Sequence, residues 1–231
     1  MAASKKAGLD GGSPTPLAIL DTAERLFAQY GIAAVSNRRV AEEAGAANNF
    51  AVGYHFGTKE DLVLAVMRRH NEPLERWRAE NVRELAGSDD PHTYIAALAR
   101  QLPAYLAQLD PPSYLARFSV QTMTDPTWRQ VAMANLATLP AEVALLAGLH
   151  AAVRHTDLGL TPEVLDARVD VMSFLVTQVC ADHERLGERS RFRCWEEVGD
   201  FLVDAACGLM LAPVHSGQSA TGRRGGRRPS G

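Results

Sequence analysis

The stretch Val35 to Leu62, VSNRRVAEEAGAANNFAVGYHFGTKEDL, constrains this chain more than any other, because it carries start and stop signals for three helices within 28 residues. Ser36 stands before the apolar positions Val40, Ala41 and Ala44 and reads as an N-cap, with Val35 and Val40 at the spacing of a hydrophobic staple. Gly45 follows the last apolar position, where a helix commonly ends in a left-handed residue. The first helix is therefore about two turns, Asn37 to Ala44. Asn48 or Asn49 caps a second helix that runs to about Phe56 before Gly57 stops it. Thr58 caps a third, with Asp61 three residues on completing a capping box.

Two short helices joined around a glycine form a helix-turn-helix, whose second helix enters the major groove of DNA. Free N–H groups and the positive dipole end of that helix suit phosphate, and an asparagine amide pairs with the edge of adenine in two-way fashion. The helix around Asn48 to Phe56 thus supplies the DNA-binding candidates Asn48, Asn49, Phe50, Ala51, Gly53, Tyr54 and His55. Tyr54, His55 and Lys59 fall at its far end and the next cap, placed for backbone phosphates. Arg38 and Arg39, on the supporting helix, grip the opposite edge, which requires Glu42 and Glu43 to be turned away.

YHFGTKEDL, Tyr54 to Leu62, preceded by VAEEAG and by the helix ILDTAERLFAQYG, resembles the N-terminal DNA-binding domain of the TetR family of transcriptional regulators. The likeness covers Thr15 to His70, and between Gly45 and the Tyr-His-Phe run the chain has one residue more than the commonest family pattern. It implies an all-α, TetR-like fold: a three-helix DNA-binding domain over 15–70, then a helical ligand-binding and dimerisation domain over 71–213. It also implies a homodimer on a double-stranded DNA operator, most simply a repressor that a small apolar effector releases from a palindromic site.

Upstream, Thr15 and Pro16 open the supporting helix as N-cap and N1. Leu17, Leu20, Ala23, Phe27 and Tyr30, with Ile19 and Leu26 beside them, recur at helical spacing until Gly31, and core roles are expected for Phe27 and Tyr30. After Thr58 the pattern Leu62, Ala65, Val66 continues toward Leu74 and Trp77, but Pro73 stands inside it. A proline there predicts a kink or break near Asn71.

From Pro91 on, no strand pattern occurs. Helices are expected over His92 to Leu109, Pro112 to Thr124, Pro126 to His155 with Pro140 inside, Pro162 to Glu188, and Arg193 to Leu211. The last two, 162–188 and 193–211, are the most apolar and must bury most of their circumference. They form the expected dimer interface under the family likeness, or the centre of a monomeric bundle otherwise. Trp77, Tyr105, Tyr114, Phe118, Met123 and Trp128 are candidates for lining a ligand pocket, with filled core as the plainer reading of each.

The 231 residues are 46% hydrophobic, enough for a real core, and the net charge is −3. Both ends are basic. Residues 1–14 hold Lys5 and Lys6, and 214–231 hold four arginines in a Gly-rich run; both compositions suit solvated, disordered tails. Without the tails, 18 basic residues face 26 acidic ones, a net of −8, and Thr15 to His70 is neutral with six of each. Attraction to DNA must therefore come from the arrangement of charge, not its sum.

No apolar run reaches the ~18 to 20 residues of a membrane span and no signal-peptide core is seen, so a cytoplasmic protein without membrane contact is expected. Cys180, Cys194 and Cys207 are too far apart for a C-x-x-C pair. Cys180 and His183, at i and i+3, are a feasible half of a zinc site with no second pair at matching spacing, so no metal and no cofactor are expected. An all-α enzyme using His55 or Cys180 and His183, and a helical adaptor docking through its apolar C-terminal pair, are the rival readings; a catalytic site is not expected.

Overall fold

The computed structural model describes residues 15–46 and 50–214, and throughout them the chain is helical with no strand. Helix α1, Pro16–Tyr30, starts as its sequence dictates: Thr15 accepts from the Ala18 N–H at 3.2 Å, Pro16 occupies N1, and Gly31 closes the helix at φ 86°. Helix α2, Asn37–Glu43, is capped by Ser36, which accepts from Arg39 N–H. Gly45, at φ 78°, makes the turn. Helix α3 is shorter than expected, Ala51–Phe56, and Phe50 rather than an asparagine stands at its N-cap position, where a phenyl ring makes no capping hydrogen bond. Asn48 and Asn49 lie outside the described residues.

Helix α4, Lys59–Glu84, begins in a complete capping box. The Thr58 hydroxyl accepts from Asp61 N–H at 3.1 Å, and Asp61 Oδ2 accepts from Thr58 N–H at 3.0 Å. Of the kink or break expected at Pro73, the break is absent: the helix runs through it for 26 residues. Proline costs one backbone bond, but the buried side chains His70 and Leu74 on either side hold the same face against the core, and that packing outweighs one lost bond. The expected domain boundary near residue 70 thus falls inside a continuous helix.

Helices α5 (Pro91–Leu106), α6 (Leu115–Thr124), α7 (Pro126–Leu136), α8 (Pro140–Arg154), α9 (Pro162–Leu186) and α10 (Trp195–Met210) complete the chain, with a 3-10 turn at Gly187–Arg189. The single helix expected over Pro126 to His155 is two, meeting at 90°, with Pro140 at the first position of α8. Neither α6 nor α8 has a side-chain cap from its own N-cap residue. Both are capped from elsewhere. Glu75 of α4 accepts from Ala141 N–H at 2.5 Å, and the buried Glu184 of α9 accepts from Ala116 and Arg117 N–H at 3.1 Å each. These carboxylates satisfy donors that a helix start otherwise leaves to water.

Helix α1 packs on α2, α4 and α6; α10 packs on α5 and α9; α4 reaches α5, α7 and α8. Ile19, Ala23, Leu26 and Phe27 form the inner face of α1 with Val40, Val52, Leu62 and Val66. Two members of the predicted α1 stripe do not join it: Leu17 is 57% exposed and Tyr30 52%. Tyr30 lies instead under the Arg39 guanidinium, 4.0 Å from its ring centroid. Among the described residues no single helix is long and apolar enough to cross a membrane.

Candidate nucleic-acid interface and ligand cavity

Helix α3 divides its residues sharply. Ala51 and Val52 are buried and fasten the helix to α2 and α4, so Ala51 is a support and not, as its position suggested, a residue facing DNA. Phe50, Gly53 and Tyr54 stand outward at i, i+3 and i+4, with Phe50 79% and Tyr54 85% exposed. Large aromatic side chains at such exposure lose apolar contact for no folding benefit. His55 is half-buried, edge-on to Tyr54 with ring centroids 5.1 Å apart. Lys59 is half-buried, donates to the Ala33 carbonyl at 3.3 Å, and burial pushes its ammonium below the usual lysine range.

The arginines of α2 are present at the surface, but their carboxylates are not turned away. Arg38 bonds Glu42 at 2.7 Å and Arg39 bonds Glu43 at 3.0 Å, one helical turn apart, while Arg25 of α1 reaches Glu43 at 2.8 Å. The i, i+4 spacing that places two side chains on one face made this pairing unavoidable. It holds the Glu43 carboxyl below the usual range, through Arg25 first and Arg39 second.

A family model described as bacterial regulatory proteins, tetR family, matches residues 19–66, the span from α1 into α4. The chain carries the DNA-binding domain of tetR-family regulators. It is accordingly a DNA-binding regulatory protein. No curated protein matches the chain.

Behind the tetR-type domain lies a partly open cavity of about 440 Å³ lined by α4, α5, α6, α7, α8 and α9. Of the six candidates for its wall, Phe118 and Met123 line it. Trp77, Tyr105, Tyr114 and Trp128 do not. Tyr105 meets His70, the Tyr114 ring lies beneath Arg117 at 4.7 Å, and Trp128 packs half-buried against the core. Helical periodicity marks which side chains point inward, but not which of several inward-facing neighbours reach a shared void. The sequence reading missed the polar wall: Asn71, Arg78, Gln101 and Glu142. The signal was visible, since Arg78 shares the face of Leu74 and Met67 on α4.

The domain and the cavity share α4. Near its middle, Arg69 bonds Asp21 at 2.5 Å and His70 Nε2 lies 2.8 Å from Glu24 Oε2, both carboxylates belonging to α1. His70 Nδ1 meets the Tyr105 hydroxyl at 3.1 Å. The next residue, Asn71, donates to Asn135 of α7 at 2.7 Å. Phe27 of α1 also stacks on Phe118, with ring centroids 6.2 Å apart.

The half-site of Cys180 and His183 finds no complement. Cys180 is fully buried and burial raises its thiol well above the ordinary range, while His183 Nδ1 meets Ser190 Oγ at 2.7 Å. Among the described residues no three His, Cys, Asp or Glu side chains gather as metal ligands do.

Proposed function

We propose that the protein is a ligand-responsive repressor working as a homodimer. Each subunit sets α3 in the major groove of one half of a palindromic operator, with Phe50, Gly53 and Tyr54 toward the bases and Arg38, Arg39, His55 and Lys59 toward phosphates. One motif reads only a few base pairs, so a two-fold pair is needed for specificity. The surfaces for that pairing are 162–188 and 193–211, where Val171 and Phe201 are exposed in the single chain.

A small, largely apolar ligand entering the cavity favours a state in which the two α3 helices no longer match successive grooves. Its leverage is the difference of its affinities for the two states. The observation that carries this reading is the unbroken α4: its first turn abuts α3, and His70, Asn71, Leu74 and Arg78 further along are cavity wall. A displacement of that wall cannot leave the start of the helix unmoved unless the helix breaks.

Fluorescence anisotropy on the DNA upstream of its own reading frame, against random DNA at moderate salt, tests the reading. Specific binding with a dimer by light scattering supports it; equal affinity for both DNAs refutes it.

A further inference from the structure

The polar end of the cavity is unusual in what it leaves unpaired. Arg78 of α4 is 4% exposed, and its Nε donates to Gln101 Oε1 at 2.6 Å while standing 2.7 Å from Glu142 Oε2. Glu75 Oε2 lies 3.7 Å from Arg78 Nη1, beyond hydrogen-bonding distance. Buried Glu75 Oε2 and Arg78 Nη1 have no hydrogen-bond partner, and Glu142 Oε2 has only the neighbouring Arg78 guanidinium. Two are acceptors and one is a donor. Unsatisfied buried polar atoms are costly, so a partner that supplied them would bind with advantage.

Charge decides which partner fits. Two carboxylates surround one guanidinium, and Arg78 is the sole Lys or Arg among the residues lining the cavity. Asp170, the other lining carboxylate, is already paired with Arg129 at 2.9 Å. A ligand carboxylate would place a third anion around a single cation, whereas an ammonium beside the lining Glu142 would balance the group. Burial raises the Glu142 carboxyl above its ordinary range although the Arg78 guanidinium beside it acts the other way. The rest of the wall is mainly aliphatic and thioether with the Phe118 ring, and His70, Asn71, Asn135 and a few hydroxyls are scattered along it.

Resting on the ligand-regulated reading above, we propose that the effector is an aliphatic amine: its chain lies among the Leu, Val and Met side chains of the cavity, and its ammonium pairs with the Glu142 carboxylate beside Arg78. Selectivity follows from that carboxylate.

Decylamine, decanol and decanoate, each below its micellar concentration, test this by titration calorimetry on the full chain without DNA. Decylamine should bind at least about tenfold more tightly than decanol, equivalent to about 1.4 kcal/mol, and decanoate least well. Glu142→Gln should remove the preference for the amine and leave decanol affinity unchanged, which a merely structural role for Glu142 would not do. The ranking in the unaltered protein stands even where the variant fails to fold. Any other ranking, or no saturable binding of the amine, overturns the proposal. Operator release is measured separately: the predicted ranking with DNA still bound upholds the ligand class and refutes the regulatory reading.

Discussion

Replacing Thr58 by alanine isolates the contribution of one side chain to the helix that joins the tetR-type domain to the cavity. The hydroxyl accepts from Asp61 N–H at 3.1 Å and lies 2.6 Å from Asp61 Oδ2, so Thr58→Ala orphans one backbone donor and frees one side of the carboxylate. The reciprocal bond, from the residue 58 N–H to Asp61 Oδ2 at 3.0 Å, does not need the hydroxyl and survives. Half the box is lost, which places the cost near the usual ~1 kcal/mol for an N-cap. For a chain of 231 residues that is a fall in Tm of about 2 to 4 °C.

The loss has a pH signature. Asp61 is held below the ordinary aspartate range, by the Thr58 side chain first and the Thr58 backbone second. A carboxyl whose folded pKa is depressed stabilises the fold above its unfolded pKa and loses that contribution as pH falls through the folded value. The variant lacks the larger cause, so the gap in Tm between the two proteins should be widest near neutrality and narrow as pH falls through and below the ordinary aspartate range. Thermal unfolding followed by circular dichroism across that range gives both numbers, with Thr58→Ser as the control that keeps the box. A Tm unchanged in Thr58→Ala, a serine variant as impaired as the alanine one, or a gap that widens in acid would refute the argument.

Tyr54→Ala should leave the unfolding free energy within about 0.5 kcal/mol of the parent, since the ring is 85% exposed, yet weaken DNA binding in anisotropy; a large loss of stability would show that the ring is not outward. Glu42→Gln removes the partner of Arg38 and should tighten binding to random DNA and steepen its dependence on salt, toward one more phosphate contact. Glu184→Ala strands the Arg117 guanidinium and two N–H groups of α6, at a cost of about 3 kcal/mol in urea unfolding. Gly148→Ala would bring a Cβ within 2.3 Å of the Tyr94 ring, which its own hydroxyl pins to the Leu85 carbonyl at 2.8 Å, so a loss of about 1 to 3 kcal/mol is expected; no loss would mean that α5 and α8 separate easily.

Within the first 62 residues most of the structure was legible, because the physics there is local. Thr15, Gly31, Ser36, Gly45, Gly57 and the Thr58 and Asp61 pair act on backbone groups within four positions of themselves, and each does in the fold what its place in the chain requires. The all-α class followed from the same punctuation and from the lack of any two-residue period. The α2 arginines were legible as surface groups, but their carboxylate neighbours at i+4 were read as facing elsewhere, although the spacing itself says otherwise.

What the tertiary structure alone decided lies at longer range. Pro73 is tolerated because residues on both sides of it are held by other helices, and the starts of α6 and α8 are set by Glu184 and Glu75, carboxylates 67 to 68 and 66 positions away. The cavity belongs to no segment. Six helices leave it between them, so only their relative placement could reveal that Phe118 and Met123 reach it while Tyr105 turns to His70, or that Arg78 and Glu142 would meet at its end. Caps and turns are governed by bonds a few residues long; voids and buried charges are governed by where separate helices come to rest, and a linear pattern carries the first far more directly than the second.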